Sequence, residues 1–193
     1  MKFDIILAGV GGQGVLSLSA IIASSAMREG LAVKQSEVHG MSQRGGAVLA
    51  HLRLADGPIA SDLIPRGSAA MILGMEPLES LRYLEYLDRA GAVVSATTPM
   101  ANIADYPPLD QVLAAIRSLP RAYLVEAEAL ARQAGSARAS NMVMVGAASP
   151  LLPVALSTLE HFVETAFAAK GAKVVETNLR ALHAGRAAAA VIP

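Results

Sequence analysis

Close to the amino terminus, Gly9-Val10-Gly11-Gly12-Gln13-Gly14 follows the pattern G-x-G-x-x-G. A mostly apolar run, Phe3–Ala8, precedes it; Val15–Glu29 after it carries apolar residues at helical spacing, with Gly30 as the stop. The glycines therefore turn the chain from a buried strand into a helix. Glycine permits a sharp turn and close approach of a ligand to the backbone, and the first N–H groups of the helix point outward at the positive end of its dipole. Such a turn can hold a phosphate, a carboxylate or the carbonyl oxygen of a partner. Glu37 ends the second strand, 23 residues beyond Gly14, where an acid bonds the ribose hydroxyl in dinucleotide-binding folds. Two readings stay open: the turn binds a dinucleotide, or its glycines only let the helix pack on the sheet. The additional glycine at Gly12, Gln13 beside it, and a second strand running straight into another glycine-rich loop count against NAD.

That second loop, Glu37-Val38-His39-Gly40-Met41-Ser42-Gln43-Arg44-Gly45-Gly46, gathers an acid, an imidazole, an amide, a guanidinium and three glycines. Arg44 offers a planar fork for a carboxylate or phosphate, Ser42 and Gln43 can bond amides or hydroxyls, and His39 titrates near neutral pH. If the ends of strands one and two lie side by side, this loop and the first turn face one crevice. The alternative is an interface loop in which Glu37 pairs with Arg44, the glycines permit close approach and His39 is a structural hydrogen bonder. His51 reads as a strand-face or interface residue, and His161 and His183 on tail helices lack a third ligand for a metal.

The elements that must carry these loops alternate. Strands are expected at Phe3–Ala8, Leu31–Val38, Ala47–Leu54, Ala69–Gly74, Ala92–Ala96 and Ala122–Glu126. Helices are expected at Val15–Glu29, from Glu76-Pro77 to about Arg89, at Leu109–Leu119, Ala127–Ala134 and Asn141–Leu151, and as two segments across Ala155–Ala190 broken near Lys170-Gly171. The order predicts an α/β fold, a three-layer Rossmann-like domain with a mostly parallel sheet and a helical C-terminal segment. A single domain over residues 1–193, with its helical tail at about 155–190, is the expected organisation.

Composition narrows the function. Sixteen Lys and Arg against sixteen Asp and Glu give no net charge, so no global field draws the chain to nucleic acid or an anionic membrane. The absence of cysteine excludes thiolate nucleophiles, disulfides and cysteine-ligated iron–sulfur clusters from this chain. The apolar run before the first glycine is too short for a signal-peptide core, and no stretch is long enough to span a membrane, so the expected location is cytoplasmic. With 53% hydrophobic and only 17% charged residues, part of the surface is expected to be buried against another chain, as in an obligate subunit.

The two glycine-rich blocks, followed in order by Ser61-Asp62-Leu63-Ile64-Pro65 and Glu76-Pro77-Leu78-Glu79, resemble the gamma-type domain of the 2-oxoacid:ferredoxin oxidoreductases, most closely its indolepyruvate-type small subunit. The resemblance covers about residues 3–100. It implies a complex in which thiamine diphosphate serves to decarboxylate a 2-oxoacid oxidatively to an acyl-CoA, with electrons passing through iron–sulfur clusters to ferredoxin. Within that family both groups sit on a larger partner subunit, and this chain completes the assembly with no cofactor of its own. Position by position, the family blocks fall on Gly9, Gly11, Gly12, Gln13 and Gly14, then on Glu37, His39, Gly40, Gln43, Arg44, Gly45 and Gly46, with Ser42 beside them. The resemblance makes the first set a candidate for CoA phosphates or a partner carboxylate. The second set is a candidate interface or active-site crevice, with no residue assigned as catalytic and no metal ligand. The alternatives are a free-standing dinucleotide-binding oxidoreductase and a purely structural assembly subunit.

Overall fold

A computed structural model describes residues 1–39, 45–101 and 103–190, with the side chains of His39 and Ala190 set aside. Its elements run β1 (Lys2–Val10), α1 (Val15–Arg28), β2 (Ala32–His39), β3 (Ala47–Ala55), β4 (Ala69–Gly74), α2 (Pro77–Arg82), β5 (Leu87–Ala96), α3 (Leu109–Arg117), β6 (Ala122–Val125), α4 (Ala127–Ala134), α5 (Ser140–Ala148), α6 (Leu156–Phe167) and α7 (Ala172–Ala190). The sheet order is β2-β3-β1-β4-β5-β6. The pairs β1·β4, β4·β5 and β5·β6 are parallel, whereas β3 runs antiparallel between β1 and β2. The expected three-layer α/β fold with a mostly parallel sheet and a helical end is therefore the observed one.

Strand two, however, does not lie beside strand one. Parallel neighbours need a crossover of about a dozen residues or more, and residues 40–46 are too few, so the chain returns as the antiparallel hairpin β2–β3, with β3 against β1. A second difference lies after α2. The helix expected to reach about Arg89 stops at Arg82, a single 3-10 turn covers Leu84–Tyr86, and Leu87–Arg89 open β5. Asp88, Arg89 and Ala90 are exposed, so this half of the strand has no alternation of burial for a sequence to display.

Side chains alternate between two cores, as a strand's period of two requires. Ile5, Leu7, Met71, Leu73, Val94 and Ala96 join the larger core with α1, α4, α5, α6 and α7. Ile6, Ile72 and Val93 face the other way, onto Ile64, Ile116 and the α2–α3 side. Helix α5 is buried along its length and covered by α7. The break near Lys170-Gly171 is present, with a 3-10 turn at Ala168–Lys170 and Gly171 at φ +93°.

On the α2–α3 side, two β3 residues capture the Ser61–Pro65 block. Arg53 meets the buried Asp4 in a two-pronged pair at 2.9 and 3.1 Å, and its Nη1 donates to the carbonyls of Ser61 and Leu63, both at 2.9 Å. The Ile64 N–H donates to Nδ1 of His51 at 3.1 Å, and Tyr86 packs edge-on to that ring. His51 is thus a buried strand-face residue whose neutral form accepts a backbone bond.

Burial pushes the His51 pKa down, assisted by Arg53 and opposed by Asp62 and Asp4. An unfolded histidine titrates near about 6.5, so above that pH both states are neutral and stability is full. Below it the unfolded ring binds a proton that the folded ring resists, and stability falls. Stability at pH 5.5 is therefore expected below that at pH 7.5, His51 contributing a slope of at most about 1.4 kcal/mol per pH unit. His51→Gln, which keeps an acceptor but does not titrate, flattens this part of the urea-denaturation profile; an unchanged profile contradicts the assignment.

Candidate functional site

The parallel strands β1, β4, β5 and β6 end on one edge of the sheet. The chain leaves β1 into α1 on one face and β4 into α2 on the other. Such a reversal opens a crevice at the carboxyl ends of the strands, where α/β folds bind ligands. Here it is a cleft of about 540 Å³, lined by Gly12 and Gln13 from the turn after β1, Met75 from the turn after β4, Thr98 and Met100 from the segment after β5, and Arg138 among its other residues.

Gln13 braces the first of these turns. Its Oε1 accepts the Val10 N–H at 2.8 Å, and its Nε2 donates to the Met75 carbonyl at 3.1 Å, joining the β1–α1 turn to the β4–α2 turn. Its own N–H donates to the Val10 carbonyl at 3.1 Å, and the Met75 N–H to the Ala8 carbonyl at 2.8 Å. Two glycines are constrained, Gly9 by space and Gly14 by its backbone. A Cβ at Gly9 would lie 2.8 Å from Val15 Cγ2, and Gly14 sits at φ +80°, where side chains are strained.

The second glycine-rich block closes onto the first. The Gly11 N–H donates to the Gly46 carbonyl at 2.8 Å, and the Gly45 N–H to the Gly11 carbonyl at 3.3 Å. The turn's donors at Val10, Gly11 and Gln13 are therefore spent within the protein. The first amides of α1, which hold the diphosphate in dinucleotide-binding folds, are not among these donors. What counts against a dinucleotide is Glu37: it stands opposite Ala50, itself opposite Leu7, two strand spacings or about 9.5 Å from β1. It accepts a hydrogen bond from Gln35. His39 ends β2, and Gly40, Met41, Ser42, Gln43 and Arg44 lie outside the described residues.

Glu76, 1% exposed, stands at the start of the helix expected there and also organises the segment after β5. It is the N-cap of α2, with Oε2 accepting the Glu79 N–H at 2.9 Å and Pro77 at the first helical position. Its Oε1 accepts the Met100 N–H at 3.3 Å and the Tyr106 hydroxyl. Burial and the adjacent Glu76 carboxylate push the Tyr106 pKa up. Burial likewise raises that of Glu79, against the pull of Arg82 3.1 Å away. An acid followed by proline at a helix start was a legible cap signal; nothing local marked Tyr106 or Arg138. His161 meets Arg28, and His183 meets Glu160. Among the described residues no three His, Asp or Glu gather where a metal ion could sit, and no helix is long and apolar enough to cross a membrane.

Fold and cleft together define a doubly wound α/β domain whose two glycine-rich segments are bonded to each other at Gly11. A family model for pyruvate ferredoxin/flavodoxin oxidoreductase matches residues 4–188, and the chain belongs to that family. It is 39% identical over 192 residues to the indolepyruvate oxidoreductase subunit IorB of Archaeoglobus fulgidus, covering 96% of this chain and 94% of that subunit. The fold matches a 2-oxoglutarate:ferredoxin oxidoreductase from Magnetococcus marinus, solved with 2-oxoglutarate, coenzyme A and succinyl-CoA bound, at TM-score 0.80 and 23% identity over 100% of this chain and 32% of that one. It also matches pyruvate oxidoreductase subunit PORC of Thermotoga maritima at TM-score 0.75 and 22% identity, over 95% of this chain and 94% of that subunit. The chain is thus homologous, nearly end to end, to a small subunit of 2-oxoacid oxidoreductase complexes.

Proposed function

We propose that this chain is the small, cofactor-free subunit of a cytoplasmic indolepyruvate-type 2-oxoacid:ferredoxin oxidoreductase. The larger partner carries thiamine diphosphate and the iron–sulfur clusters, coenzyme A is the acyl acceptor, and ferredoxin takes the electrons through the complex. The end-to-end homology to IorB carries this reading. The donor set agrees with the division of labour, because the chain has no cysteine to ligate a cluster. Bound thiamine diphosphate would supply the carbanion chemistry from the partner. Of the first block, Gly12 and Gln13 line the crevice, with Gly9, Gly11 and Gly14 shaping the turn that carries them; the role assigned to the second block, Glu37, His39, Gly40, Ser42, Gln43, Arg44, Gly45 and Gly46, is contact with the partner or the substrate. A free-standing dinucleotide enzyme lacks comparable support, since Glu37 stands two strands away from β1 and not beside it.

Co-expression with the larger subunit tests the reading. Arylpyruvate-dependent, CoA-dependent reduction of ferredoxin is expected only when both chains are present, and titration of NAD into the isolated chain is expected to show no binding. Tight NAD binding by the lone chain, or failure to associate, overturns it. Arg44→Ala separates two roles for the second block: loss of association and turnover together makes it a docking element, whereas intact association with turnover reduced about tenfold puts it at the reacting centre.

A further inference from the structure

Residues 97–108 contain Pro99, Pro107 and Pro108 and run irregularly between β5 and α3, yet they supply the Thr98–Met100 wall of the cleft. Prolines carry no N–H donor, so such a segment depends on other groups to fix it. Two of its donors, the Met100 N–H and the Tyr106 hydroxyl, converge on one oxygen of Glu76. Capping a six-residue helix does not call for a buried carboxylate; serine, threonine or asparagine caps as well. The longer glutamate side chain keeps one oxygen on the α2 cap and extends the other to the loop. The residue before it, Met75, accepts from Gln13 through its carbonyl. A continuous path therefore runs from the glycine-rich turn through Met75 and Glu76 to Met100, joining two stretches of the cleft lining.

We propose that Glu76, with Tyr106, is a positioning residue that sets the separation of the Met100 wall from the Gln13 wall and thereby the fit of the ligand that enters the cleft. The inference rests on the reading of the cleft as the crevice of a 2-oxoacid oxidoreductase. Met100 is 41% exposed and Ile103 43%, so the segment that Glu76 holds presents apolar groups outward as well as into the cleft. Glu76 touches no reacting atom in this role; it acts through the backbone of Met100. Among the described residues it has no cationic partner within ion-pair distance, and its carboxyl oxygens accept from the Glu79 and Met100 N–H groups and the Tyr106 hydroxyl.

The test compares wild-type chain, Glu76→Gln and Tyr106→Phe, each assembled with the larger subunit. Hydrogen exchange of peptides spanning residues 97–106 is expected to rise about tenfold in Glu76→Gln, the effect of losing one charge-assisted bond, with β1 peptides unchanged. In steady-state assays with 2-oxoacid and CoA varied in turn, KM for at least one is expected to rise about fivefold or more while kcat stays within about twofold, the pattern of lost positioning. Tyr106→Phe moves both readouts the same way by less, and because it leaves the α2 cap intact it carries the test should Glu76→Gln fail to fold. Unchanged exchange over residues 97–106, or raised exchange with both KM values unchanged, overturns the proposal. A wild-type assembly that oxidises no 2-oxoacid counts instead against the functional reading, and the exchange comparison alone then decides the anchoring.

Discussion

Gly146→Val is expected to destabilise the chain more than any other substitution considered. Helices α5 and α7 cross with their backbones in contact: a Cβ on Gly146 would lie 1.9 Å from the Leu182 carbonyl oxygen, and a Cβ on Gly185 1.9 Å from that of Val143. Each glycine faces the other helix's carbonyl, so neither can gain a side chain unless the helices separate. Separation would open the core around Val143, Met144 and Ala147, which are buried between the sheet side and α7. Overpacking on this scale costs about 3 kcal/mol or more, which lowers the thermal midpoint of a chain this size by about 10 °C. Gly57 is the control. Nothing lies within 4 Å of a Cβ placed there, so Gly57→Ala should stay within about 0.5 kcal/mol of wild type. Calorimetry giving equal midpoints for the two variants would show that the helices do not cross this closely.

Arg53→Met is expected to rank second. Asp4 is 1% exposed and Arg53 7%, and the guanidinium also satisfies two carbonyls of the Ser61–Pro65 block. Among the described residues, removing the cation leaves a buried carboxylate with Lys2, 2.9 Å away but largely exposed, as its remaining ion-pair partner. Breaking a buried pair by deleting one partner costs about 3–5 kcal/mol, and Lys2 holds this case to the lower part of that range. The double variant Asp4→Leu/Arg53→Met should recover more than half of the loss in urea denaturation, because the penalty comes from the orphaned charge and not from the absence of the pair. Additive losses in the double variant would refute that account.

Both predictions rest on contacts between residues far apart in the chain, and that distance separates what the sequence displays from what it hides. The β1–α1 turn was legible because everything that makes it is local: an apolar run, glycines, and then a helical period. The reversal of β3 was implicit in the short connection at residues 40–46, although periodicity alone did not reveal it. The start of β5 was hidden because its first residues face solvent and its hydrogen bonds leave no mark on hydrophobic pattern. Glu37 looked like a ribose ligand only while strand two was taken to lie against strand one.

The sequence by itself determined the class of fold, the order of its elements, the family and the exclusion of a cysteine-ligated centre, since each depends on residue type, spacing or order along the chain. The tertiary structure alone decided that Gln13 accepts the Val10 N–H and donates to the Met75 carbonyl, that Gly45 and Gly46 bond to Gly11, and that Glu76 holds Met100 and Tyr106. Those contacts join loops that follow different strands. Loops have no period to read, and their meeting at one edge of the sheet is set by the order in which the strands lie, which is a property of the packed molecule.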